Sequence, residues 1–161
     1  MRKNPLSSSH SERHKAFINQ LVAEGAASAR YEQIDITDQS TLDELATELM
    51  DKGIKINGVL HAAGIEEDKS LLEMQRAEFN AILGPKINGT MAVNTAFHNC
   101  DWICYFSSSS AILGDFGSCA YAVGNRYQIA KSKELSNVLS KAGQPHYFAI
   151  NWPLWKDGGM G

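Results

Sequence analysis

The chain contains short, largely apolar segments that alternate with longer segments patterned as helices. Four short segments are predicted strands: Ala29–Ile34, Gly58–Gly64, Trp102–Phe106 and Tyr147–Trp152. The strongest of them lack the regular polar positions of a half-exposed strand, so helices are expected to cover both faces of the sheet. Strands of this kind separated by helices predict an α/β fold with a doubly wound parallel sheet.

Four helices are predicted between these strands. They cover about 9–24, the segment between Asp38 and Gly53, about 75–98, and 120–139. Ser9 begins an S-x-x-E capping box for the first helix. Asp38 is a natural N-cap for the second, and Gly53 stands where a left-handed C-cap is expected. Pro85 and Gly89 predict a bend in the third helix or a junction between two pieces.

The composition limits the function classes. A chain of 161 residues with a net charge of −3 fits one domain and shows no basic surface for nucleic acid. No apolar segment is long enough for a membrane span, and a cytoplasmic protein is expected. The cysteines Cys100, Cys104 and Cys119 follow no zinc-site or disulfide spacing, so free thiols are expected and no metal site is predicted.

The residues that suggest chemistry lie around the third predicted strand. Ser108 follows that strand in a run of four serines, and Tyr121 and Asn125 begin the next helix. Residues four apart share one helical face, which places Tyr121 and Asn125 together. In a doubly wound fold the carboxyl ends of the strands form the binding crevice, so Ser108 and Tyr121 can face one reacting atom.

At these residues the chain resembles the ketoreductase domains of modular polyketide synthases, a branch of the short-chain dehydrogenase/reductase family with a Rossmann-like fold. The resemblance is continuous from about Asp35 to Gly161. Five segments carry it: Asp35-Ile36-Thr37-Asp38, His61-Ala62-Ala63-Gly64, Pro85-Lys86-Ile87-Asn88-Gly89-Thr90, Phe106 to Tyr121 with Asn125, and Asn151-Trp152-Pro153-Leu154-Trp155 with the glycines that follow. Any one of these is a weak pattern, whereas their common order is specific.

The resemblance implies a role for each of four residues. Tyr121 would protonate the ketone oxygen while NADPH delivers hydride, and Ser108 would hydrogen-bond the same oxygen. Lys86 and Asn125 would tune and resupply the proton; asparagine four residues after the tyrosine, with lysine on the earlier helix, is typical of the polyketide branch. A nearby ammonium favours the ionised form of a phenol, which helps a group whose pKa is near 10 exchange protons at neutral pH.

The resemblance also implies a cofactor side and a substrate side. Asp35, His61, Ala62, Ala63, Gly64, Pro153 and Leu154 would line the NADPH site. Asp35 could equally be a turn residue, and His61 could be purely structural. Asp68, Leu113 and Trp155 would face the substrate.

Stereochemistry is implied by two positions. Ketoreductases that give D-configured alcohols carry Leu-Asp-Asp after the His-Ala-Ala-Gly turn, and this chain keeps the final aspartate as Asp68. The opposite group has tryptophan eight residues before the tyrosine, where this chain has Leu113. The resemblance therefore favours the D-hydroxy type.

The family's T-G-x-x-G-x-x-G phosphate loop does not occur in the sequence. The resemblance implies that the sheet lacks the first two strands of the family, which would lie between the predicted strands near Arg30 and Val59. Unpaired backbone groups on buried strands cost about 1 to 3 kcal/mol each. We therefore expect a partial ketoreductase catalytic domain over residues 1–161 that belongs to a longer polypeptide, rearranges, or pairs with another copy.

Three functions follow from these residues. The first is reduction of a β-ketoacyl thioester held by the phosphopantetheine arm of an acyl carrier protein, alongside other synthase domains. The second is a short-chain reductase that acts on fatty-acyl or free ketone substrates. The third is a non-catalytic structural or interaction fragment of a synthase that cannot bind the cofactor. Comparing turnover on carrier-bound and free ketones separates the first two, and titration with NADPH tests the third.

Overall fold

A computed structural model describes residues 8–138 and 144–155 of the chain. The chain divides into two units, Met1–Ile34 and Asp35–Gly161. In the first unit, helix α1 spans Ser8–Ala23 and ends before Gly25, whose φ of 108° only glycine adopts readily. The ring of His14 stacks on Tyr31 with 4.0 Å between ring centroids. The proposed cap Ser9 lies within α1, and its side chain is outside the described residues.

The second unit alternates helices and strands. Its elements are α2 (Gln39–Asp51), β1 (Gly58–His61), α3 (Arg76–Ala96), β2 (Trp102–Ser108), α4 (Ser110–Leu113), α5 (Cys119–Val138) and β3 (His146–Trp152). The strands form a parallel sheet in the order β1-β2-β3. Each connection between neighbouring strands contains a long helix, as parallel pairing requires. The predicted α/β class with a Rossmann-like parallel sheet is confirmed.

The core of this unit lies between the sheet and the helices α3 and α5. Ile103 and Tyr105 of β2 are buried beneath those helices, and the Tyr105 hydroxyl donates to Asn94 Oδ1 of α3 at 2.6 Å. On the other face of the sheet, Leu60 is 60% exposed and Phe148 is 43% exposed. Among the described residues, the face of the sheet that packs under α3 and α5 is therefore more fully buried than the opposite face.

The predicted ends of α2 are confirmed. Asp38 has an extended backbone, and its side chain accepts hydrogen bonds from the backbone N–H and the hydroxyl of Thr41. At the other end Gly53 has a φ of 68°, the left-handed conformation expected after a helix. In α3, Pro85 lies inside one continuous helix, so the alternative of two joined pieces is wrong.

Two strand predictions need correction. Residues 29–34 form no strand, because a strand needs a hydrogen-bonded neighbour and none of the described strands pairs with this segment. The segment Gly58–Gly64 is extended and paired only as far as His61, where its register with Tyr105 ends. The short helix α4 was not predicted. It begins at Ser110, and Ser109 is the one residue between it and the end of β2.

Candidate active site

Ser108 and Tyr121 line the same cavity. Ser108 is the last residue of β2, and Tyr121 lies in the first turn of α5. The cavity has a volume of about 420 Å³ and opens where β2 and β3 end, with Pro153 and Leu154 on its wall. This is the position at which open parallel sheets bind ligands. The predicted convergence of the two hydroxyl groups on one space is thus present in the structure.

The loop after β2 holds Ser108 in place. Its Oγ accepts hydrogen bonds from the Ser110 backbone N–H at 3.2 Å and from the Ser110 hydroxyl at 2.9 Å. The backbone N–H of Ser109 donates to the carbonyl of Trp152 at 2.9 Å, which joins the ends of β2 and β3. Ser108 Oγ is the acceptor in both of these hydrogen bonds, so neither uses its proton, and its side chain also interacts with that of Tyr121.

Tyr121 is protonated at neutral pH. Burial raises the pKa of its phenol above the ordinary value of 10.0, and the negative charge of Glu66 acts in the same direction. The neighbouring side chains of Asn125 and Ser108 act against the rise. A protonated phenol beside a serine hydroxyl can donate a proton to a bound oxygen.

Lys86 lies beneath the cavity on α3. It is 2% exposed, and its Nζ donates to the carbonyl oxygen of Phe106 at 2.7 Å. Burial lowers its pKa to about 8, because the charged ammonium loses its water. Nζ is 6.0 Å from the centroid of the Tyr121 ring. Gly124 of α5 has no side chain, which allows Lys86 to pack closely against this helix. A Cβ at Gly124 would lie 2.9 Å from Lys86 Cβ.

Asn125 lies behind Tyr121 and does not line the cavity. It is fully buried, and its Nδ2 donates to the Tyr121 carbonyl oxygen at 2.9 Å. Its Oδ1 has no hydrogen-bond partner among the described residues. A buried amide oxygen without a partner is costly, so this atom is a natural acceptor for a water or a ligand donor.

The residues predicted on the cofactor side separate into two groups. Ala62, Pro153 and Leu154 line the cavity, whereas Ala63 and Gly64 belong to the loop after β1 and do not. Asp35 also lies elsewhere: its Oδ1 accepts from the backbone N–H and hydroxyl of Thr37, as in an Asx turn.

His61 is buried under α3 instead of lining the cavity. Its side chain is 1% exposed, and its Nε2 is 3.1 Å from the carbonyl oxygen of Pro85, the residue before Lys86. Burial and the charge of Lys86 lower its pKa to about 4, so the imidazole is neutral at physiological pH. A neutral ring that donates from Nε2 fits the carbonyl acceptor. His61 therefore ties the end of β1 to the turn of α3 that carries Lys86.

Two of the three residues predicted on the substrate side line the cavity. Leu113 and Trp155 do so, and Trp155 lies 5.3 Å from Trp152 between ring centroids. Asp68 lies outside the lining, against Gly117, where a Cβ would come within 1.7 Å of Asp68 Oδ1. Only glycine fits that position, which also has a φ of 75°.

Two charged residues of the cavity were missed by the sequence analysis. Glu66 follows β1 and Asp115 follows α4, and both residues line the cavity. Glu66 could have been found from its place beside the Asp68 motif, whereas no local pattern marks Asp115. Within the described residues, no group of three or more His, Cys, Asp or Glu side chains could hold a metal ion. In the same part of the chain, no helix is long and apolar enough to cross a membrane.

A parallel α/β sheet with a tyrosine and a serine hydroxyl at its carboxyl edge is the arrangement of a short-chain reductase. Comparison with known proteins narrows this class. The family model described as "KR domain" matches residues 5–157. Polyketide synthase PksM from Bacillus subtilis (strain 168) is 45% identical over 137 residues, which are 82% of this chain and 3% of that protein. The chain belongs to the KR domain family.

Solved structures agree with this assignment. A ketoreductase domain from the bacillaene assembly line has a TM-score of 0.86 at 28% identity, over 99% of this chain and 38% of that one. A 3-ketoacyl-(acyl-carrier-protein) reductase from Brucella melitensis complexed with NADH has a TM-score of 0.73 at 19% identity, over 88% and 62% of the two chains. The second likeness shows the fold alone.

Proposed function

We propose that the chain supplies the catalytic residues of a ketoreductase that reduces β-ketoacyl thioesters held on an acyl carrier protein. The observation that carries the proposal is the convergence of Ser108 and Tyr121 on one cavity above Lys86. The chain spans 3% of the curated synthase PksM and 38% of the bacillaene ketoreductase chain. The activity therefore belongs to a longer polypeptide in this proposal.

Each residue has a defined task in the reaction. Tyr121 donates its proton to the ketone oxygen, and the hydroxyl of Ser108 donates a hydrogen bond to that same oxygen as negative charge develops on it. Lys86 holds positive charge below the phenol and stabilises the phenolate left behind. Asn125 offers its Oδ1, which has no partner in the described part of the chain, to a water that can return a proton. The ketone gains a hydride at carbon and a proton at oxygen, which yields the β-hydroxyacyl thioester.

The cavity fits the nicotinamide end of the proposed cofactor, NADPH. Ala62, Pro153 and Leu154 line the cavity together with Ser108 and Tyr121. When bound, the cofactor supplies the hydride. Asp35, His61, Ala63 and Gly64 remain proposed contacts to the rest of the cofactor, carried over from the family motif alone.

The alcohol is proposed to be of the D-hydroxy type. Leu113 lines the cavity at the position that distinguishes the two groups, and Asp68 packs on Gly117 in the loop before Tyr121. Trp155 lies over the same opening, where it can contact the acyl chain. Other synthase domains, and a second copy of the chain, are the further partners we propose, in the cytoplasm.

Substitution of the two hydroxyl groups in the polypeptide that carries this chain tests the proposal. Tyr121→Phe is expected to lower kcat by about 100-fold or more, and Ser108→Ala by about 100-fold, with a β-ketoacyl thioester and NADPH. Tyr127→Phe is the matched control, because Tyr127 lies on the same helix outside the cavity lining. Chiral analysis of the product tests the D-hydroxy assignment. Full activity of Tyr121→Phe would refute the proposed function.

A further inference from the structure

The charged groups that line the cavity are unevenly placed. Glu66 and Asp115 are exposed carboxylates, whereas the only lining ammonium in the described residues, that of Lys86, is buried and hydrogen-bonded to Phe106. Neither carboxylate has an ion-pair partner within the described ranges 8–138 and 144–155. Among the described residues, the cavity lining therefore carries negative charge that no ion pair neutralises.

We propose that Glu66 and Asp115 make the cavity prefer uncharged ketones to ketones that carry a carboxylate. This proposal rests on the function proposed above, and it specifies uncharged ketones as the substrate class of the same site. A β-keto acid and its thioester present the same ketone, but only the free acid carries a negative charge, on the oxygens of the carboxylate whose carbon is two bonds from the ketone carbon. Glu66 and Asp115 both belong to the lining of the cavity of about 420 Å³, so a carboxylate bound there shares the cavity with both residues.

The two carboxylates act on the same space as the ketone. Glu66 is close enough to Tyr121 for its charge to oppose ionisation of the phenol. A substrate oxygen within hydrogen-bond reach of the phenol is therefore also within the field of Glu66. Like charges about 4 Å apart repel by about 1 kcal/mol even at the dielectric constant of water, which corresponds to roughly fivefold in binding. A thioester does not experience this repulsion.

The experiment compares two substrates of equal chain length. The probes are a 3-oxoacyl N-acetylcysteamine thioester and the freshly prepared 3-oxo acid, each with NADPH and the polypeptide that carries this chain. The quantity measured is the ratio of kcat/KM for the acid to kcat/KM for the thioester. Glu66→Gln and Asp115→Asn are each expected to raise this ratio about fivefold, and the double variant more. Glu73→Gln is the control, because this exposed glutamate lies outside the cavity lining.

Using a ratio keeps the test independent of folding, since a loss of folded protein lowers both rates equally. A ratio unchanged in the double Glu66→Gln, Asp115→Asn variant would overturn the selectivity and leave the proposed function standing. An equal rise with Glu73→Gln would also overturn it, because net charge and not the lining would then be responsible. If the unsubstituted protein reduces no thioester, the proposed function fails, and the selectivity with it.

Discussion

Substitution of Gly124 by alanine tests the packing that places Lys86 beneath Tyr121. A Cβ at this position would lie 2.9 Å from Lys86 Cβ and 3.1 Å from Lys86 Cγ, closer than such atoms normally approach. The backbone of Gly124 is helical, so alanine would otherwise be favoured there by about 1 kcal/mol. Overpacking in a filled core costs about 1 to 3 kcal/mol. The contact should therefore cancel or outweigh the helix preference.

The expected result is a free energy of unfolding unchanged or lower by up to about 2 kcal/mol for Gly124→Ala. Urea unfolding followed by circular dichroism measures it, with a shift of the midpoint by about 0.5 M per kcal/mol for a typical slope. Ala130→Gly is the matched control, because Ala130 is an exposed position of the same helix and reports the glycine penalty alone. A gain of about 1 kcal/mol for Gly124→Ala, mirroring the Ala130→Gly loss, would refute the close packing on Lys86.

Two further predictions concern buried ionisable groups. Because His61 has its pKa lowered to about 4 from an ordinary 6.5, the unfolded chain binds more protons between these values, and stability falls as the pH drops through them. This loss in the free energy of unfolding is roughly 3 kcal/mol at most. His61→Gln should reduce the difference between the free energies of unfolding measured at pH 7 and at pH 4.5. Substitution of the exposed His146 is the control and should leave that difference unchanged. The pKa of Lys86 is lowered to about 8 from 10.5, so the unfolded chain binds more protons than the folded chain between these values. The free energy of unfolding of the unsubstituted protein should therefore rise relative to that of Lys86→Met by roughly 2 to 3 kcal/mol between pH 8 and 10.5. If the difference between the two proteins stayed constant over this range, Lys86 would be solvated.

Local signals in the sequence predicted the helices well. Asp38 caps α2 and Gly53 ends it, because capping depends on a few neighbouring residues and on backbone angles that only certain residue types adopt. The strands β1, β2 and β3 were predicted for a related reason, because short and largely apolar segments between helices are typical of strands in a buried parallel sheet. Residues 29–34 were assigned wrongly, because extended backbone becomes a strand only when another strand pairs with it.

The candidate site was only partly accessible to sequence reasoning. The spacing of Ser108, Tyr121 and Asn125 indicated the cavity, but nothing local showed that Asn125 is buried and that its Oδ1 has no hydrogen-bond partner within residues 8–138 and 144–155. The place of His61 under α3 was equally hidden, since it depends on the close approach of β1 to Pro85. Asp115 entered the lining only because the loop after α4 returns to the ends of β2 and β3.

The order of residues by itself determined which segments are helical, where α2 begins and ends, and that the strands lie parallel, because these properties depend on side-chain periodicity and on nearest neighbours. The tertiary structure alone decided the burial and lowered pKa of Lys86, the neutral state of His61, and the places of Glu66 and Asp115 in the cavity lining. The physical reason is that desolvation and charge interaction depend on distances through space, and those distances exist only after the sheet has brought remote segments together.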